Sequence, residues 1–149
     1  MDQNDVQKFV KQRFATYKKN VEESGEQKAF ETAVQDYVPT QKQMMGQFID
    51  NDTLAGGFSK AIPMYKQMGM DMEVVDISNK GMDAVIEVQK ACPFIVMAKE
   101  FGFEKPCRVV CEMDVASTKA AFDDMDGKIV SRVVDGDCVC LFKYERPQK

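Results

Sequence analysis

The stretch that decides the fold is Met72-Glu73-Val74-Val75-Asp76-Ile77-Ser78-Asn79-Lys80-Gly81-Met82-Asp83-Ala84-Val85-Ile86-Glu87-Val88. Within it the spacing of apolar residues changes from a helical period to a period of two. Met72 to Ile77 is rich in β-branched residues, Ser78 to Gly81 carries turn residues, and Met82, Ala84, Ile86 and Val88 fall at every second position. Two short alternating runs around a turn predict a β-hairpin.

Upstream, the chain predicts helices. Val6, Phe9, Val10, Phe14, Tyr17 and Val21 recur at helical spacing, and Asn4 with Gln7 resembles a capping box. Ser24-Gly25-Glu26-Gln27 ends this helix and opens a second, with Phe30, Ala33, Val34, Tyr37 and Val38 on its apolar face; Pro39 is expected to stop it. A third helical stretch is expected from Thr40, and Leu54 to Met68 reads as helical despite Gly56, Gly57 and Pro63. Downstream, Pro93 to Phe101 predicts a helix closed by Gly102, and Val115 to Phe122 another with Asp114 as its N-cap. Residues 128–134 and 138–144 predict a second hairpin around a two-residue Asp135-Gly136 turn. The sum is one α+β domain spanning residues 1–149, with N-terminal helices packed on a four-stranded antiparallel sheet made of two hairpins and further helices between them.

Composition narrows the function. The 149 residues are 44% hydrophobic and 30% charged, as in a soluble globular domain. A net charge of −4 offers no basic footprint for nucleic acid. No apolar run approaches the roughly 20 residues that span a bilayer. Asp2 and Asp5 replace the apolar core of a secretory signal, and five cysteines are an odd number, so free thiols in a cytoplasmic setting are expected.

With no histidine in the chain, thiols and carboxylates are the available reactive groups. Cys92 precedes Pro93 and is expected at a helix N-cap, where amides and the helix dipole would make it the most acidic thiol. A buried cysteine that happens to begin a helix fits the spacing equally. Cys107 and Cys111 are four apart and share a face if Pro106 opens a helix. Cys138 and Cys140 share a strand face and are expected to point inward, with Val133 opposite Cys138, Ser131 opposite Cys140 and Ile129 opposite Phe142. Neither cysteine pair has the spacing of a zinc knuckle, so buried structural thiols fit better than a metal site. Asp114 suits an N-cap and also a general base beside a thiol. The methionines clustered from Met44 to Met72 suit a core or the wall of a pocket.

Cys92-Pro93-Phe94, Cys111-Glu112-Met113-Asp114, Arg132-Val133-Val134 with Gly136, and Cys140-Leu141-Phe142 together resemble the L-2-amino-thiazoline-4-carboxylic acid hydrolase-like family. The resemblance covers Cys92 to Arg146 and treats Cys107 and Cys138 as extras. It implies a hydrolase that opens a cyclic amidine with water, in which Cys92, Cys111 and Asp114 are catalytic and Cys140 and Arg132 bind substrate, with Arg108 as another candidate for a substrate carboxylate. Nucleophilic attack would come from the Cys92 thiolate or from water activated by Asp114. The expected fold is also similar to small-molecule-binding domains related to vinyl reductases. That similarity implies an alternative: a sensor for a small molecule, metal or haem without turnover. No cofactor is expected for the hydrolase. The expected partners are a small-molecule substrate or ligand and, in a homodimer, a second copy of the chain, with neither nucleic acid nor membrane.

Overall fold

A computed structural model of the chain describes residues 2–149. Helices α1 (Gln3–Ser24), α2 (Glu26–Ile49) and α3 (Leu54–Gln67) precede strands β1 (Met72–Asp76) and β2 (Met82–Gln89). Helices α4 (Ile95–Glu100) and α5 (Cys111–Ala121) follow, then β3 (Asp126–Ser131) and β4 (Cys140–Pro147). The four strands form one antiparallel sheet in the order β1-β2-β4-β3, the two hairpins joining through β2 and β4. This is the α+β architecture expected from the change of period at Met72.

Helix α1 begins two residues earlier than expected, at an Asp2 cap whose carboxylate accepts the Asp5 N–H at 2.9 Å. Its buried face is Val6, Val10, Phe14 and Tyr17, and it ends at Gly25, whose φ of 83° suits glycine. The expected stop at Pro39 does not occur: α2 runs through it to Ile49. Proline deprives the carbonyl four residues back of its partner. Here that residue is Gln35, which lies on the exposed side of the helix, where solvent can replace the lost N–H. Buried Gln41, Met45 and Ile49 on the far side of Pro39 hold the helix down.

The second hairpin also departs from expectation. A short 3-10 turn, Val133–Asp135, followed by Gly136 in the left-handed region replaces the two-residue turn. A bulge lies between Ile129 and Ser131. Ile129 does pair with Phe142, but Ser131 pairs with Leu141 rather than Cys140. Cys140 faces inward as expected, whereas Cys138 is exposed on the turn.

Helices cover only one face of the sheet, and on β2 it is not the face carrying Met82, Ile86 and Val88. The residues turned into the protein are Asp83, Val85, Glu87 and Gln89, at 7%, 0%, 4% and 1% exposure. Each polar member therefore needs a partner. Asp83 has the fullest set. Its carboxylate accepts the Leu54 N–H at the start of α3 at 3.0 and 3.1 Å and the Arg146 Nε–H at 2.9 Å. Arg146 in turn donates from Nη2 to the carbonyls of Ile49, at 3.0 Å, and Asp52. Removing one member of a buried pair strands the other charge. Arg146→Ala is accordingly expected to lower unfolding free energy by about 3–5 kcal/mol, read from urea unfolding curves fitted with an unchanged m-value.

Candidate functional site

Between α2, α3, α5 and the sheet lies a cavity of about 60 Å³. Its apolar wall comes mainly from Met44, Met45, Met64, Met68, Met70 and Met72, with Phe58 and Phe142. Its polar groups are Tyr37, Gln41, Tyr65, Glu87, Cys111, Asp114 and Tyr144. Most of the methionine cluster seen in the sequence is therefore a pocket wall.

Glu87 is the unusual member. It enters the cavity from the centre of the sheet, at 4% exposure, and its Oε2 has no hydrogen-bond partner among the described residues. Burial pushes its carboxyl up to about 8; the Tyr65 hydroxyl offsets part of this, and the charge of Asp114 adds to it. Glu87 is thus mostly a neutral acid at pH 7 and close to the point where it changes state. Burial also raises all three tyrosines of the cavity, Tyr37 to about 12 and Tyr65 and Tyr144 well above their ordinary value, so each keeps its phenolic proton. Tyr144 stacks on Phe58 at 5.2 Å, and Gly127 leaves room on its other side: a Cβ there would lie 2.9 Å from the ring.

Asp114 is not the N-cap of α5, which begins three residues earlier at Cys111. It lies in the first turn, where Arg13 Nη2 reaches it at 3.0 Å. Burial raises its carboxyl and Arg13 opposes the rise. The backbone carbonyl of Asp114 accepts the Thr118 hydroxyl at 2.8 Å, and Thr118 accepts Gln41 Nε2 at 2.8 Å, so α5 and α2 are tied beside the cavity.

The thiols divide. Cys111 lines the cavity, and burial, reinforced by Asp114, holds it well above the usual thiol range. Cys92 is not an N-cap: α4 is capped by Phe94, and Cys92 precedes it in the loop after β2. The N–H groups of Phe94 and Ile95 do favour a Cys92 thiolate, but burial outweighs them and its pKa is raised. The N-cap position expected for Cys92 thus goes to Phe94, and desolvation opposes the thiolate there. Cys107 precedes α5 in a turn rather than sharing a helix with Cys111, and burial raises it too. Cys140 accepts the Val133 N–H at 3.3 Å. Arg132 pairs with Glu112 at 3.2 Å, and Arg108 lies 4.0 Å over the Phe30 ring. Of the sequence candidates, Cys111 and Asp114 line the cavity; Cys92, Cys140, Arg132 and Arg108 do not. Among the described residues, no group of three or more Cys, Asp or Glu side chains is placed to hold a metal.

Glu87, Tyr65, Tyr144 and Arg13 escaped the sequence analysis. The available signal was that Asp83, Val85, Glu87 and Gln89 share one strand face, but the apolar alternation on the other face spoke louder.

A helix-covered antiparallel sheet enclosing a small, mostly apolar chamber with a buried acid defines an α+β domain built around an interior pocket. Its sequence matches the model of the L-2-amino-thiazoline-4-carboxylic acid hydrolase family over residues 4–144, and the chain belongs to that family. None of the curated proteins matches it. Among solved structures it is similar to the phenol-responsive sensory domain of the transcription activator PoxR, crystallised with phenol. That likeness has a TM-score of 0.58 at 11% identity, covering 93% of this chain and 74% of that one. At this identity the likeness is one of fold. No helix among the described residues is long and apolar enough to cross a membrane.

The raised carboxyl of Glu87 has a consequence for stability. The unfolded chain loses this proton near pH 4.5 and the native chain near 8, so between these values the native state binds more protons and stability falls as pH rises. The slope from one such group is about −1.4 kcal/mol per pH unit within the window. Glu87→Gln, which mimics the neutral acid, should remove this slope and melt higher than the parent at pH 7. Asp114 contributes in the same direction in both proteins, so the difference between their stability–pH curves reports Glu87 together with its coupling to Asp114.

Proposed function

We propose that this chain binds a small, weakly basic heterocycle in the methionine-lined cavity and opens it with water, as the family's name suggests for a cyclic amidine. The observation that carries this reading is Glu87: a buried carboxylic acid facing a cavity, with a pKa of about 8. Such a group is suited to general acid–base work near neutral pH. A cyclic amidine arrives as a base that Glu87 can protonate, and the resulting cation finds two carboxyls, Glu87 and Asp114, to receive its N–H groups. Water then adds to the amidine carbon as its proton passes to Asp114, and the C=N electron pair moves to nitrogen. When the adduct collapses, Asp114 passes the proton it took from water to the leaving atom as the ring bond breaks, and the Glu87 carboxylate takes the proton of the adduct hydroxyl as it becomes C=O, which restores both carboxyls. Water is the better nucleophile here, because burial keeps both Cys92 and Cys111 protonated. Cys111 then acts as a neutral wall and weak donor.

The cavity is smaller than the roughly 150 Å³ that accommodates benzene. A ring can enter only if methionine side chains rotate aside, which their unbranched thioethers allow. The same adaptable apolar lining supports a second reading, a sensory pocket that holds a phenol-like molecule without consuming it.

The test is incubation of the chain with 2-aminothiazoline-4-carboxylate, following the thiol that ring opening releases. Glu87→Gln should lower kcat by about 10²–10⁴-fold. Cys111→Ser should alter KM more than kcat, and Cys92→Ser should leave turnover in place. Saturable phenol binding with no thiol released from the amidine would sink the hydrolase reading in favour of the sensor. Loss of turnover in Cys92→Ser alone would return the nucleophile to that thiol.

A further inference from the structure

The methionine-lined chamber sets a further limit on its guest. None of the described residues that line it is a lysine or an arginine. Its acids are Glu87 and Asp114, and most of the remaining lining is aromatic rings and methionines. Aromatic faces attract cations, and a thioether sulfur is a weak acceptor that donates nothing. The half-buried lining residues, those nearest solvent, include Asp114, Met44, Met64 and Met68. A substituent directed outward from a bound ring therefore meets thioethers and a carboxylate rather than a cation.

The arginines nearby do not supply what the lining lacks. Arg13 does not line the chamber, and its Nη2 is engaged by the Val109 carbonyl at 2.8 Å and by Asp114 at 3.0 Å. Arg108 and Arg132, the sequence candidates for a substrate carboxylate, line a different recess. There Arg132 lies 3.2 Å from Glu112 and Arg108 lies 3.7 Å from Glu26.

The charges at the chamber then cancel in pairs. Arg13 balances Asp114, and a ring that takes the Glu87 proton balances the carboxylate it leaves behind. A carboxylate on the same ring would be a third anion against two cations. It would leave water without a partner, and burying an unpaired charge is costly. Volume acts in the same direction. At about 60 Å³ the chamber must already widen for a bare ring, and a carboxylate enlarges the guest further.

We propose that the ring opened in this chamber bears no carboxylate: its substrate is a small cyclic amidine whose only charge is positive, not one derived from an amino acid. The reaction in this statement rests on the hydrolase reading, whereas the binding preference does not. For 2-amino-2-thiazoline, the simplest such ring, the oxygen of water becomes the carbonyl oxygen of a urea. As the C–S bond breaks, one hydrogen of that water ends on sulfur and the other on the ring nitrogen.

The experiment compares three probes on the full chain: 2-amino-2-thiazoline, its 4-carboxylate and the methyl ester of that acid. The readout is kcat/KM from the thiol released or, where no thiol appears, Kd from the shifts of the methionine methyl resonances. The unsubstituted ring should exceed the carboxylate by about tenfold or more. The ester is bulkier than the acid but uncharged at that end, and should also exceed it. Met64→Lys places an ammonium on a long stem at a half-buried lining position and should narrow the preference for the unsubstituted ring. The proposal is overturned if the carboxylate equals or exceeds the unsubstituted ring, a result that leaves the hydrolase reading standing. It is overturned equally if the ester is no better than the acid, which traces the loss to bulk, or if a folded Met64→Lys protein keeps the full preference. Tighter binding of the unsubstituted ring with no thiol from any probe removes the hydrolase reading and keeps the preference for a carboxylate-free cation.

Discussion

The ion pair between Asp83 and Arg146 is the constraint on which the arrangement of this domain depends. The two residues face each other across β2 and β4, yet their remaining hydrogen-bonding capacity is used at the corner between α2 and α3. Helix termini leave backbone groups without partners. Here a carboxylate from the sheet takes an N–H from the start of α3, and a guanidinium from the next strand takes carbonyls from the end of α2 and the loop after it. A buried pair of this kind adds little net stability compared with apolar residues of the same shape. What it supplies is position, because no apolar pair could satisfy those backbone groups. Gly57 allows the corner to close: a Cβ there would lie 2.6 Å from both the Phe48 carbonyl oxygen and Ile49 Cγ2. With the corner fixed, Met45 and Gln41 on α2 and Tyr65 on α3 are held opposite Glu87 and Tyr144.

Glu87 runs against the stability of the sheet that carries it. A carboxyl at the centre of a sheet, with one oxygen unpartnered, costs free energy that a leucine would not. Native proteins tolerate such groups where the chemistry needs a shifted pKa. The rest of the cavity is built to keep Glu87 in its shifted state: three protonated tyrosines, an apolar wall of unbranched thioethers and, among the described residues, no ion pair to the carboxyl. Arg13 is paired with Asp114. The two carboxyls are therefore held in different conditions, one against an arginine and one without, and such a contrast separates an acid from a base at the same pH.

Much of the fold was legible because it follows from local rules. The change of period at Met72, the turn residues at Ser78 to Gly81 and the helical spacing of Val6, Val10, Phe14 and Tyr17 each record a local preference that the tertiary structure respects. Errors arose where tertiary contacts override such preferences. Pro39 breaks an isolated helix but not one whose lost hydrogen bond faces water and whose next turn is pinned by Gln41 and Met45. The 133–136 turn depends on Asp137 accepting the Arg132 N–H at 3.0 Å, which residue spacing does not reveal. The cavity was half legible. Cys111 and Asp114 were readable from their spacing, but Glu87 is buried only because the helices cover the less apolar face of β2. Arg13 meets Asp114 across about a hundred residues of chain, beyond the reach of any local pattern.

Pro39 also shapes how the cavity is reached. It lies between Tyr37 and Gln41, both of which line the chamber. The helix is missing one rung of its hydrogen-bond ladder at that level. The turns on either side of Pro39 are consequently two stiff rods joined at a compliant point, and a small bend there swings Tyr37 relative to Gln41 without breaking any further backbone bond. Gln35, whose carbonyl lacks that rung, is an exposed residue, so the weakened level of the helix borders solvent. The weakened rung of the longest helix is thereby placed beside the chamber, while its far end is tied down at the corner clamped by Arg146.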